Sequence, residues 1–334
     1  MTRPIDIAVV GATGLVGEAL IEQLGEAPFA VGTVQAVASA RSVGRRLDAG
    51  GRRLRVVDLA DFDFSRSDLA VFAVPPEVAW EHLPRALAAG CRVLDLSVLS
   101  AADPDVPLLV AGSSADFDGA RLVAAPSALT VLLTTVLRPL QARTRVESVD
   151  VVALSPVSAL GRAGVESLAR ETTDLLNARP REAGPFPQQI AFNLFPVGDA
   201  PAGCEANDTG LAAELSRVLG DPAPAVTVTN VRVPVFLGIA AALRVATGAP
   251  ELGADEARGL LAGASGIRLA GPDEGGLMAS PVSHSAAAQD VFIGSVRDGG
   301  QDGILVLWAV ADNIRQGAAR NALGIIEMIV KCFD

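Results

Sequence analysis

The residues best placed to do chemistry come early in the chain. Gly11-Ala-Thr13-Gly14-Leu15-Val16-Gly17 lies between a strand-like run and an apolar-periodic helix. Glycines in such a turn let backbone N–H groups approach a pyrophosphate at the helix N-terminus. The spacing is G-x-x-G-x-x-G rather than G-x-G-x-x-G, so a plain βα turn without ligand is the competing reading. Gly11, Thr13, Gly14, Leu15 and Val16 are the residues this loop offers to a dinucleotide. The second strand tests the idea, because in NAD-binding folds it tends to end in an acidic residue that takes the ribose 2′-hydroxyl. Here it runs into Ser39-Ala-Arg41-Ser42. A guanidinium and two hydroxyls suit a 2′-phosphate, which favours NADP over NAD. An ordinary solvated arginine is the plain alternative for Arg41, and Arg45 and Arg46 read as surface charge.

Thiol and imidazole groups are scarce. The three cysteines, Cys91, Cys204 and Cys332, are too scattered for a disulfide framework or a metal knot. Cys91 reads as a buried strand residue, Cys204 as a bystander in a Pro/Gly loop, and Cys332 as part of a terminal helix. The two histidines, His82 and His284, are too few for a His-based metal site and read as surface or capping residues. No metal is expected.

These groups need elements to hold them. Residues 5–10, 31–38, 69–74 and 91–96 read as strands, and 16–24 and the stretch from Pro76 to Gly90 as helices. That alternation is the pattern of a doubly wound parallel sheet. Further on, 146–154, 225–235, 240–246, 291–297 and 303–311 are strand-like. Residues 164–177 and 207–219 read as helices, so a second α+β domain with a mixed or antiparallel sheet is expected. Residues 313–330 carry helical spacing, with Ile314, Ala318 and Ala322 starting one face and Leu323, Ile326 and Ile329 continuing it. The stretches 180–187 and 196–204 read as loops.

Composition agrees with this class. Of 334 residues half are apolar, only 4% are aromatic and none is Tyr, so the core must be aliphatic, as in a buried parallel sheet. A net charge of −11 argues against nucleic acid as a partner. The N-terminus lacks a signal-peptide pattern and no run suits a membrane span, so a cytoplasmic setting is expected.

Several blocks together resemble one family. GATGLVG, then Ala38-Ser-Ala-Arg-Ser-Val-Gly-Arg-Arg-Leu47, Asp103-Pro-Asp-Val-Pro107, Gly161-Arg-Ala-Gly-Val-Glu166, Arg232-Val-Pro-Val235 and Leu307-Trp-Ala-Val-Ala-Asp-Asn-Ile-Arg-Gln-Gly-Ala-Ala-Arg-Asn321 are similar to aspartate-semialdehyde dehydrogenases, in the family's order. The resemblance implies a Rossmann-like NADP domain formed by 1–127 with 312–334. It also implies a central catalytic and dimerisation domain over 128–311, hence a homodimer. Asn313 joins the cofactor residues on the same ground. The family's chemistry uses a cysteine thiolate that attacks the aldehyde. Hydride leaves to NADP, and phosphate cleaves the resulting thioester while a histidine relays protons.

The chain departs from that pattern at the reacting positions. By register, the nucleophile falls at Ala128 within Ala125-Pro-Ser-Ala-Leu-Thr130, the base at Ile239, the acyl-orienting glutamine at about Ser155, and a substrate arginine at Ala101. Removing the nucleophile of such a unit costs on the order of a millionfold in rate. Arg232 matches the family's carboxylate-binding arginine, and Glu214 with Arg217 resembles its Glu-x-x-Lys pair, so a small anionic metabolite remains a candidate ligand. Glu214 and Arg217 are also spaced as an ordinary helix ion pair. Ala73-Val-Pro75-Pro76 replaces a small, N–H-rich turn on the cofactor side. The resemblance is thus to the cysteine-less, Usg-type branch, and a pseudoenzyme is expected. Two alternatives stand beside it. One is a direct carbonyl reductase using Ser127, Ser155 or Thr130, and the other is a structural partner of a true dehydrogenase.

Overall fold

The computed structural model describes residues 3–113, 117, 119–180, 182–198, 208–248, 251–270, 278–284 and 289–332. Cys204 lies outside them. The chain divides into two compact units, Met1–Ser127 with Ala318–Asp334, and Ala128–Gly317.

In the first unit the strands are β1 (Ile5–Val10), β2 (Val31–Ala38), β3 (Arg46–Ala49), β4 (Arg52–Arg55), β5 (Val57–Asp58), β6 (Leu69–Phe72), β7 (Arg92–Asp95) and β8 (Leu122–Ala124). Six of them form a parallel sheet in the order β5-β2-β1-β6-β7-β8. β1 is a nearly unbroken buried run, as a parallel strand covered on both faces must be. Its neighbours β2 and β6 are reached by crossovers to opposite sides, which makes the carboxyl ends of β1 and β6 the topological switch point. Helix α1 (Leu15–Leu24) follows β1, and α2 (Pro76–Ala88) follows β6. β3 and β4 pair as a separate antiparallel hairpin. The terminal helix Asn321–Val330 packs on α1, and Asn321 Oδ1 accepts the N–H of Ala111 at 2.8 Å.

The second unit holds a seven-stranded mixed sheet in the order β10-β11-β9-β12-β15-β14-β13. The strands are β9 (Val146–Ser155), β10 (Phe195–Pro196), β11 (Ala225–Arg232), β12 (Ile239–Thr247), β13 (Ile267–Leu269), β14 (Val291–Asp298) and β15 (Ile304–Ala311). β11 runs parallel to β9, and β9, β12, β15 and β14 are mutually antiparallel neighbours. Helices α3 (Ala128–Gln141), α5 (Asp208–Leu219) and α6 (Ala254–Ala262) bury their apolar sides against one face of it. Along β9, Val149, Val151 and Ala153 join that core, while Asp150 and Val152 alternate onto the other face. Helix α4 (Gly161–Leu176) anchors a smaller cluster with Phe186, Ile190 and Phe195.

Four expectations need correction. The sixth strand stops at Phe72 rather than residue 74, because Pro75 and Pro76 turn the chain into α2. The hairpin and β5, with α3 and α6, occupy stretches to which the pattern assigns nothing. The unit boundary falls after Gly317, whereas the family pattern puts it at 312. Lastly, 313–330 is not one α-helix. Arg315–Arg320 forms a π turn ahead of the terminal helix. Asp312 causes it: its Oδ1 accepts the N–H groups of Ile314 and Arg315, both at 2.8 Å, and its carbonyl takes the Gly317 N–H at 2.9 Å, five residues on. The wider turn shifts the phase of the following helix, so that Ala319, Ala322, Ile325, Ile326 and Ile329 are buried, while Ala318 and Leu323 are only half-buried.

Candidate functional site

In the first unit the glycine turn is built for close approach. Gly11 has φ +87°, and a Cβ there would lie 2.1 Å from the Ala73 carbonyl oxygen. A Cβ on Gly17 would lie 2.2 Å from the Gly11 oxygen, so only glycine brings α1 down onto the turn. The N–H groups of Gly11 and Ala12 both reach the Val37 carbonyl, at 2.9 and 3.0 Å, and Gly14 N–H reaches Gly11 oxygen at 2.8 Å. Gly14 caps α1 without a side chain, so Leu15 and Val16 present first-turn N–H groups that lack intrahelical acceptors. Such groups and the helix dipole favour an anion.

The turn after β2 joins this loop. Ser39 opens a single 3₁₀ turn, Ala40–Ser42, and Ser42 Oγ lies 3.2 Å from Thr13 Oγ1. Arg41 projects from it into solvent. Gly11, Thr13, Gly14, Leu15 and Val16 thus follow the carboxyl end of β1 and Ser39, Arg41 and Ser42 that of β2, and the two turns meet through Thr13 and Ser42. Asn313 sits in the second unit, buried, where its Oδ1 accepts the Gly238 N–H at 3.0 Å and its Nδ2 donates to Ser158 Oγ at 3.1 Å. A cleft of about 580 Å³ lies at the other end of β2, lined by Leu24, Phe29, Val31, Ala49 and Leu54. It is apart from the glycine turn and offers no charged side chain.

The second unit gathers buried polar groups at the ends of β9 and β11. Ser155 and Arg232 are partners in register. Ser155 Oγ donates to Asn230 Oδ1 at 2.7 Å, and Asn230 N–H donates to Asp208 Oδ1 at 3.1 Å. Arg232 is the largest fully buried side chain, 1% exposed, and donates to the Pro156 carbonyl at 2.6 Å. Burial alone drives its guanidinium down to about 10. Desolvating that cation is expensive, and aliphatic packing in its place would be cheaper for the fold.

On α5, Glu214 is also buried and accepts the hydroxyl of Thr130 at 2.7 Å. Arg217, one turn on, is exposed. Ala128 is the first residue of α3, half-buried against Gly317, where an added Cβ would stand 2.7 Å from that of Ala128. Ile239, 4% exposed, belongs to the aliphatic core beneath the sheet. Asn230 and Asp208 are functional-looking residues that the sequence reading passed over. Alternation along β11 puts Asn230 on the buried side with Val228 and Arg232, but its residue type alone does not mark it.

The other candidates are structural. Cys91 is buried beside β7, and desolvation pushes its thiol up to about 12. Cys332 lies just past the terminal helix rather than in it. His284 Nδ1 accepts the Ser280 N–H at 3.2 Å, a capping role, and His82 lies 2.9 Å from Arg85 on α2. Among the described residues no cluster of three His, Cys, Asp or Glu could hold a metal ion, and no helix is long and apolar enough to cross a membrane.

Comparison with known proteins bears on this geometry. Residues 6–116 match the family model of the semialdehyde dehydrogenase NAD binding domain, and 137–316 that of the semialdehyde dehydrogenase dimerisation domain. An aspartate-semialdehyde dehydrogenase of Legionella pneumophila is 36% identical, covering 100% of this chain and 98% of its own. The chain belongs to the aspartate-semialdehyde dehydrogenase family. A USG-1 protein homolog of Pseudomonas aeruginosa is 39% identical, covering 99% of each, so the Usg-type branch is represented among this member's relatives as well. The crystal structure of aspartate semialdehyde dehydrogenase II from Vibrio cholerae, complexed with ASA, superposes with a TM-score of 0.90 at 33% identity, over 99% of both chains. The glycine turn and the arginine turn thus lie in the family's NAD binding domain, and the mixed sheet in its dimerisation domain.

Proposed function

We propose that this family member is a cytoplasmic, dimeric, NADP-binding pseudoenzyme that does not carry out the phosphorylating oxidation of an aldehyde. The observation that carries the reading is the pair Ala128 and Ile239. At the register positions of the nucleophile and the base stand a methyl group at the start of α3 and a butyl group inside the core. Neither can form a thioester or carry a proton. Identities of 36% and 39% to relatives with different names do not separate the two outcomes, so the residues must.

Binding groups support a retained ligand role. Arg41 with Ser39 and Ser42 at the glycine turn suits a 2′-phosphate, and NADP there would supply a hydride acceptor. Buried Arg232, in register with Ser155 across β11 and β9, suits a small carboxylate, and its desolvation is a cost that a purely structural residue would avoid. The reductase alternative is weaker. The Ser155 hydroxyl already donates to Asn230 and that of Thr130 to Glu214, so neither is disposed to polarise a carbonyl.

Two measurements test the reading. Calorimetric titration should give NADP binding tighter than NAD, with the difference removed by Arg41→Ala. Incubation with aspartate semialdehyde and NADP should leave the peptide spanning Ala128 without an acyl adduct by mass spectrometry. An adduct there, or a wild-type protein that binds neither nucleotide, would overturn the corresponding half of the proposal.

A further inference from the structure

The β3–β4 hairpin is an arginine-rich surface in an acidic protein. Six arginines fall within residues 41–55, against one acidic residue, Asp48, while the whole chain carries −11. The register pairs Arg46 with Arg55 and Asp48 with Arg53, and these four share one face. Leu47 pairs with Leu54 on the other. Arg46, Arg53 and Arg55 are all exposed. Among the described residues Arg41, Arg46, Arg53 and Arg55 have no carboxylate partner within 4 Å, and Asp48 is turned to the Gly51 N–H at 2.7 Å. Like charges directly opposite each other on a ladder, about 5 Å apart at Cβ, destabilise it. A hairpin that served only to cover α1 would gain by placing an acid at either position.

The position of this face gives it a use. The hairpin lies along α1. Its open end is next to the cofactor turns: Arg45 faces Glu18 in the first turn of α1 at 3.6 Å, and the Gly44 N–H bonds Val56 just after Arg41 and Ser42. Its tip, Gly50, meets Gly25 at the far end of α1. Arg53 therefore lies toward the tip, Arg46 and Arg55 toward the open end, and the chain runs from that end back to Arg41 at the proposed 2′-phosphate site. A chain of net charge −11 repels a multiply anionic dinucleotide at long range, and a local positive field offsets that repulsion.

The geometry points to the exposed face of the β3–β4 hairpin, Arg46, Arg53 and Arg55, as an electrostatic collecting surface that speeds capture of a phosphorylated dinucleotide without touching it in the bound state. The inference rests on the cofactor reading above. It separates from that reading by kinetics, because a steering charge acts on association and its salt dependence, whereas a contact residue acts on dissociation.

The test is stopped-flow binding of NADPH, followed by its fluorescence, to wild type, to Arg41→Ala and to the triple variant R46Q/R53Q/R55Q, over a range of ionic strength. The triple variant should associate about tenfold more slowly at low salt. Its dissociation rate should equal that of wild type, and the two association rates should converge at high salt. It should unfold at the same or a higher temperature, since a like-charge pair is removed. Arg41→Ala should instead dissociate faster. Equal association rates with equal salt slopes, or a triple variant changed only in dissociation, overturn the steering role while leaving the cofactor site standing. A wild type that gives no NADPH signal overturns the cofactor reading itself and the steering role with it.

Discussion

Ala128 and Ile239 illustrate how much one side chain decides. Ala128 opens α3, where a helix N-terminus would lower the pKa of a thiol. Ala128→Cys should therefore create a thiol that iodoacetamide alkylates readily near neutral pH, as peptide mapping would report. Cys91 should stay unmodified in the native protein under the same conditions. Its thiol titrates at about 12 when folded and near 9.0 when unfolded, so the folded chain holds the proton more tightly. Its contribution to stability is then complete below pH 9 and is lost as the pH rises from 9 toward 12. Alkylation of native Cys91 as fast as the new thiol would contradict both statements. At this scale the sequence was informative, because alanine and isoleucine declare their chemistry without coordinates. It was silent on Asn230, whose importance comes only from the hydroxyl of Ser155 across the sheet.

Elements carry a second layer of evidence. The βα turn at Gly11 tolerates no side chain. Gly11→Ala forces a positive φ, costing about 1–2 kcal/mol, and drives a methyl group into the Ala73 carbonyl. Thermal unfolding should register at least that loss, and nucleotide binding should disappear. A variant of unchanged stability would mean that the turn is looser than described. The π turn at 315–320 makes a different prediction. Desolvation raises the Asp312 carboxyl above its ordinary value, so its charged form costs stability once the pH exceeds the folded value. Asp312→Asn keeps the oxygen that accepts the Ile314 and Arg315 N–H groups and removes the charge. It should be as stable as wild type or more so at pH 7, while Asp312→Ala should lose about 1–3 kcal/mol by leaving those donors unpaired. Denaturant titration of the two variants distinguishes them. Regular elements such as β1, β2 and β9 were legible from apolar runs and alternation. The π turn was not, because a single carboxylate accepting two N–H groups leaves no periodic trace and shifts the helix face that follows. The β3–β4 hairpin escaped because its arginines mask the alternation of Leu47 and Leu54.

At the scale of the whole molecule, the chain pairs the family's NAD binding domain with its dimerisation domain. The helices cover one face of the mixed sheet and leave Val152, 47% exposed, on the other, beside the Asp150–Arg244 pair at 3.6 Å. If that face forms the homodimer, Val152→Asp should shift the species seen by sedimentation from dimer toward monomer. An undisturbed dimer would place the interface elsewhere. The division into an NAD binding domain and a dimerisation domain was readable from ordered blocks spanning nearly the whole chain. The split after Gly317 was not, since the closing block reads as one continuous segment. Turnover decides whether the chain is a catalyst. Protein purified from a host lacking its own aspartate-semialdehyde dehydrogenase is given aspartate semialdehyde, phosphate and NADP, and NADPH is followed by absorbance. NADPH should not form above the protein-free rate, a deficit on the order of a millionfold for a unit without its nucleophile. Turnover proportional to enzyme, dependent on phosphate and abolished by Arg232→Ala, would contradict it and return the chain to the catalysts of its family.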